Sequence, residues 1–327
     1  MARGRPRPGE PRTGSRVMPG PLPATAIIAR IMHRLLLPAA AFAAFAASAQ
    51  AQDAPPLADP AQAQTPAQAE AVLEASVFDG DFLVVGLGAA AMPSYEGSND
   101  GAIVPAGGIF GRLGGVGINP RAGGVALDFI PDARGQRLSF SLGPVVRYRG
   151  NRRSAIKDPV VERLGKRDAV IEGGVAFGAT LTGVLNPFDR VSLGADVRWD
   201  ISGKGGGRVI APGATYFTPV SKGQVIGVRA GAEFVDRKYV AYNHGIDAAG
   251  SAASGLPQYA ARGGFKEWNL GAFTGFDLSG NFLDGGFAIG AGAQYSRLQG
   301  SAAETPITAL RGSRGQWFLG GGIAYTF

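Results

Sequence analysis

The last fifteen residues, Ser313 to Phe327, constrain this chain more than any other stretch. Trp317, Leu319, Gly321, Ile323, Tyr325 and Phe327 fall on one face of a strand. Gln316, Gly320, Gly322, Ala324 and Thr326 fall on the other, with Phe318 as the exception. A period of two with aromatics at both ends is the pattern of a transmembrane β-barrel strand. Ten steps of roughly 3.3 Å at about 40° tilt span roughly 25 Å of membrane normal. The expected fold is all-β: a transmembrane antiparallel up-and-down barrel.

The front of the chain distorts the charge balance. Residues before Gln52 hold seven Arg and one acid, so 25 basic and 24 acidic residues remain after them. The formal charge of +7 therefore gives no electrostatic case for a nucleic-acid partner. Met32-His-Arg34 and the apolar run Leu35 to Ala47, followed by Ala49-Gln50-Ala51, read as a signal peptide over 32–51. Residues 1–31 read as an upstream extension in front of a true start at Met32, with Met1 the other possible start. Residues 52–78, rich in Ala, Gln and Pro, read as a disordered linker. The barrel is expected over 79–327. The absence of Cys removes disulfides, thiolate metal sites and a lipidated anchor.

Twelve strands are expected near 80–92, 101–110, 112–119, 123–130, 137–150, 168–182, 188–201, 207–218, 223–240, 259–278, 281–298 and 313–327, with ten as the alternative. Val191, Leu193, Ala195, Val197 and Trp199 alternate with Asp196, Arg198 and Asp200. In a soluble sandwich the apolar face would point inward; in a membrane barrel it points to lipid. The connections decide for the barrel, because short turns alternate with long polar loops in the second half. Closure also removes the unpaired edges that lipid cannot satisfy. Arg147, Arg149, Glu172, Asp196, Arg198, Asp200, Arg229 and Glu233 are then the candidate lumen charges. They suit either a solute path or a lumen plugged by ion pairs. Trp199, Trp268, Trp317, Tyr325 and Phe327 are the candidate membrane-interface aromatics.

Little else suggests chemistry. Behind the signal peptide stands one His, His244, with Asp247 three residues on. The pair could serve a rim-sited hydrolase, but an exposed loop His is the expected reading. No metal-ligand spacing is visible, no cofactor is expected, and Gly203-Lys-Gly205 reads as a hairpin turn. The chain is expected not to be an enzyme. Arg147–Arg153 and Lys166-Arg167 fall where they could meet outer-leaflet phosphates, or merely face solvent.

Several blocks resemble the MipA/OmpV family: Ala91-Met-Pro-Ser-Tyr-Glu-Gly-Ser98, Ser141-Leu-Gly-Pro-Val-Val-Arg-Tyr-Arg149, Asp200-Ile-Ser-Gly-Lys-Gly, Ser254-Gly-Leu-Pro-Gln-Tyr259 and the stretch Tyr295–Ile307. The resemblance implies a Gram-negative outer-membrane barrel with a periplasmic N-terminus. The aromatic chain end at Phe327, with aromatic or apolar residues at alternate positions before it, resembles the signal read by the barrel-assembly machinery, and the expected location brings contact with outer-membrane lipids and lipopolysaccharide. The family resemblance further implies a scaffold for peptidoglycan-remodelling enzymes, namely a murein hydrolase and a penicillin-binding protein. A small-solute channel and a surface adhesin are the alternatives.

Overall fold

The computed structural model describes residues 1, 76–133, 135–153 and 156–327. The expected signal peptide (32–51) lies outside them, as do the upstream extension (1–31) and the linker (52–78) apart from their ends. A 3-10 turn at Val77–Asp79 leads into the barrel, capped by Ser76, whose Oγ accepts from Phe78 N at 3.2 Å. Phe78 packs edge-on against Phe82 at 4.9 Å.

Twelve strands follow: β1 Phe82–Pro93, β2 Gly101–Leu113, β3 Val116–Arg121, β4 Gly124–Asp128, β5 Leu138–Arg149, β6 Val170–Thr182, β7 Arg190–Asp200, β8 Arg208–Ser221, β9 Gln224–Val235, β10 Gly264–Asp277, β11 Gly286–Leu298 and β12 Gly315–Thr326. Each pairs antiparallel with its sequence neighbours, and β1 pairs with β12 to close the barrel. The twelve-strand expectation holds; the ten-strand alternative does not. β9 stops at Val235, short of the expected 240, because Asp236 caps a helix there and accepts from Tyr239 N at 2.9 Å. β10 likewise begins at Gly264 rather than near 259. β3 and β4 are short, and β2 meets β3 only over Gly111–Leu113. Pro120 brings no N–H to that ladder.

The registers place the two faces as the alternation requires. Val175 lies opposite Val197 and Ala179 opposite Leu193 on the outer face. Thr180 and Ser192 lie opposite on the inner face and share a 2.9 Å hydrogen bond. Outward residues are apolar and bare: Leu87 is 67% exposed and Ile103 79%. Water does not tolerate such a continuous belt, whereas lipid favours it.

Both termini of the barrel lie at one rim, where Leu83 and Phe327 exchange backbone hydrogen bonds. We call this the terminal rim and the other the loop rim. The loop rim carries five short helices: α1 Pro159–Glu162, α2 Arg237–His244, α3 Ala248–Ser254, α4 Gly300–Glu304 and α5 Pro306–Ala309. The main apolar core sits among these loops rather than inside the barrel. One cluster joins Tyr95, Val161, Ile246, Leu256 and Ile307; a second joins Val209, Val235, Tyr239, Val240 and Ala261. Long loops that build their own core form a folded cap over the loop rim.

Candidate functional site

Beneath the cap the strands bring charged side chains into one connected layer. Glu172 on β6 takes Arg149 Nε at 2.6 Å through one carboxylate oxygen and Arg198 Nε at 3.0 Å through the other. Arg198 reaches Asp196 at 3.0 Å, and Arg121 on β3 grips the same Asp196 with Nε at 2.9 Å and Nη2 at 3.1 Å. Arg147 on β5 meets Glu233 on β9 at 3.2 Å. The β3–β7 and β5–β9 pairs join strands four apart in the ring, so they cross the lumen rather than follow the wall.

Lys266 extends the network upward. Its Nζ lies 2.6 Å from Glu233, 3.0 Å from Glu96 and 3.4 Å from Glu267, and its side chain is almost wholly buried. It enters the lumen through a break in alternation, because the β9–β10 register shifts between Phe265 and Glu267. Five cations (Arg121, Arg147, Arg149, Arg198, Lys266) thus meet five carboxylates (Glu96, Glu172, Asp196, Glu233, Glu267). Buried charges persist only when matched in this way.

The loop segment after β1 supplies Glu96 from above. Its carboxylate accepts from Tyr239 Oη at 2.9 Å and lies 3.2 Å from His244 Nε2. Its backbone N–H donates to Asn151 at 3.0 Å, and Asn151 and Arg149 both donate to Asn243 Oδ1, at 3.1 and 3.0 Å. The Arg149 guanidinium stacks over the Tyr239 ring, 4.3 Å from its centroid. Burial would raise the Glu96 carboxyl, but the Lys266 ammonium and His244 outweigh it and hold the group well below the carboxylate range. Burial pushes His244 below the usual imidazole value, against the pull of Glu96.

These contacts correct two expectations. His244 is not an exposed loop residue: it closes α2 and is fully buried. It is not paired with Asp247, whose carboxylate instead caps α3 by accepting from Gly250 N at 2.7 Å. Asp200, grouped with the lumen charges by alternation, turns to the β7–β8 loop and accepts from Ser202 N, Gly203 N and Gly206 N at 2.8, 3.1 and 2.8 Å.

The other sequence candidates fall as follows. Arg147, Arg149, Glu172, Asp196, Arg198 and Glu233 all join the ion-pair layer. Arg229 stands apart, exposed, with no carboxylate within 4.0 Å among the described residues. Trp317 and Trp199 are exposed on the outer surface near the loop rim, and Trp268 packs on Tyr295 at 5.6 Å, which in turn packs on Trp317 at 5.1 Å. Tyr325 and Phe327 pack together at 4.7 Å near the terminal rim. Glu96, Lys266, Tyr239 and Arg121 were not singled out from sequence. Tyr95-Glu96 lies within a family-like block, and Lys266 falls on the apolar parity of β10, a signal that could have marked it.

The family described as MltA-interacting protein MipA matches residues 85–327. No curated protein matches the chain. Among solved structures, the outer membrane channel DcaP of Acinetobacter baumannii is similar at 11% identity and a TM-score of 0.33, over 68% of this chain and 58% of that one. The chain therefore spans little more than half of DcaP's length. The Pseudomonas putida toluene transporter TodX is similar at 8% identity and a TM-score of 0.33, over 76% and 89% of the two chains. A porin is similar at 10% identity and a TM-score of 0.31, over 75% and 99%.

Proposed function

Because the chain belongs to the MltA-interacting protein MipA family, we propose that this outer-membrane barrel works at its rims as a non-enzymatic scaffold for peptidoglycan-remodelling enzymes. The supporting observation is the lumen-crossing layer of matched charges beneath a folded cap. A barrel closed in that way has little use as a solute path, which leaves its rims for function.

In this reading the terminal rim faces the periplasm, with the N-terminal segment and any murein hydrolase or penicillin-binding protein on that side. That rim carries a groove of about 700 Å³ lined by Gln136, Arg137, Val184, Leu185, Asn186 and Pro187. The β6–β7 turn beside it is held firmly, since the Asp189 carboxylate accepts from Val184 N, Leu185 N and Asn186 N at 2.7, 2.8 and 3.2 Å. Phe327 would serve the barrel-assembly machinery, and the outer girdle would meet lipid. The loop rim would face lipopolysaccharide with a basic hollow of about 440 Å³ lined by Arg153, Lys166, Arg167 and Lys204 with Asp168.

Co-purification from crosslinked envelopes tests the scaffold. Recovery of a murein hydrolase or synthase with the wild type, reduced by Leu185→Glu, is the expected result. Recovery of no peptidoglycan enzyme would remove the reading.

A further inference from the structure

The cap contains a buried cation that the charge layer does not use. Arg152 is 1% exposed, and none of Nε, Nη1 and Nη2 finds a hydrogen-bond partner among the described residues. Its neighbour in charge is a second cation. Arg167 donates its backbone N–H to the Arg152 carbonyl at 3.0 Å, and its own Nε is also buried without a partner. Arg152 sits at φ +50°, the one positive φ outside glycine among the described residues. Backbone strain and an uncompensated guanidinium thus coincide at one position. Burial, and next the Arg167 charge, pull Arg152 down to about 10, which leaves it protonated at neutral pH.

A folded chain buries a guanidinium with this little compensation only where something else supplies acceptors. The surroundings say what kind. Arg167 also lines the basic hollow, beside Arg153, Lys166 and Lys204, whose single carboxylate, Asp168, lies 3.3 Å from Lys204. That excess of cations around donor-rich guanidinium groups suits a multiply charged oxyanion better than a lone carboxylate.

We propose that Arg152 and Arg167 form a phosphate site in the cap, reached from the basic hollow. The site takes the phosphate group itself, either free or carried on the sugar head of an outer-leaflet lipid. It goes beyond the scaffold reading and stands whether or not a peptidoglycan enzyme is recovered.

The test uses the purified full chain in detergent and in nanodiscs, with a heat-modifiable gel shift as folding control. Inorganic phosphate and lipopolysaccharide are titrated separately against sulfate-free, phosphate-free buffer. Wild type is expected to show a rise in transition temperature and slower amide exchange over residues 156–167 with at least one of the two. Arg152→Met is expected to weaken that binding more than roughly tenfold, the loss of charged hydrogen bonds. In ligand-free buffer the same variant is expected to be no less stable than wild type, because it removes an unmatched charge. A purely structural arginine would give the opposite result. A response to phosphate identifies the free ion, and a response to lipopolysaccharide alone identifies the lipid-borne group. No response to either, or a response that survives both Arg152→Met and Arg167→Gln, overturns the proposal. Arg167→Gln carries the test if Arg152→Met fails to fold.

Discussion

Gly88 and Gly322 face each other across the β1–β12 ladder, the one that closes the barrel, and neither has room for a β-carbon. A methyl on Gly88 would fall onto the Gly321 carbonyl, and one on Gly322 onto the Leu87 carbonyl. The obstacle is backbone on both sides, so no side-chain rotation relieves it. Gly322→Ala is expected to cost at least the roughly 1–3 kcal/mol of ordinary overpacking and to lower the yield of heat-modifiable barrel. Gly290→Ala is the control. It lies in register with Gly322 on β11, and its β-carbon would meet the Thr274 carbonyl at an ordinary 3.5 Å. Equal folding yields for the two variants would show that the seam does not need its glycines.

Lys266, like Arg198, has three carboxylates within 3.4 Å. Lys266→Met keeps the length of the side chain and leaves Glu96, Glu233 and Glu267 facing one another without it. Breaking a buried pair from one side costs about 3–5 kcal/mol, because the remaining charge is left unmatched. The temperature at which the compact gel band converts is expected to fall clearly. A conversion temperature unchanged from wild type would mean that Lys266 contributes no net stability.

The sequence made the wall legible and the cap obscure, for a physical reason. Side chains on a strand repeat every two residues, so Asp196 and Arg198 could be placed beside Leu193 and Val197 without any tertiary knowledge. Which of those charges meet was not legible: the Arg121–Asp196 contact depends on strand number and stagger. Asp200 shows the limit of the period itself, since a strand-end carboxylate can serve its own turn instead of the lumen. His244 was misjudged because a lone His in a polar loop carries no periodic signal. Its burial comes from Glu96 and Thr305, distant in sequence, as well as from Tyr239 on its own helix, with Thr305 Oγ1 donating to the His244 carbonyl at 2.8 Å.

A lumen crossed by matched ion pairs should not pass ions. The folded wild-type chain in planar bilayers is expected to be electrically silent. Arg198→Ala removes the residue that links Glu172, Asp196 and Glu233, and is expected to bring small, irregular currents along with a lower conversion temperature. Reproducible single-channel steps from folded wild type would contradict a closed lumen and restore the solute-channel alternative.

The cap should loosen in acid, in two stages whose sign follows from His244 and Glu96. Folding holds His244 below its usual value, so the unfolded chain takes up a proton that the folded one resists. The resulting stability is complete above about pH 6.5 and is lost as pH falls from there toward the depressed folded value. Glu96 is also held low, so its contribution is complete above about pH 4.5 and is lost only below that. Amide protection over α2, Arg237–His244, measured against the intrinsic exchange rate at each pH, is therefore expected to fall between pH 7 and 5 and again below pH 4.5. His244→Gln should remove the first stage and leave the second. Protection that is flat from pH 7 to 5 in wild type, or equally pH-dependent in His244→Gln, would place the acid sensitivity on another group.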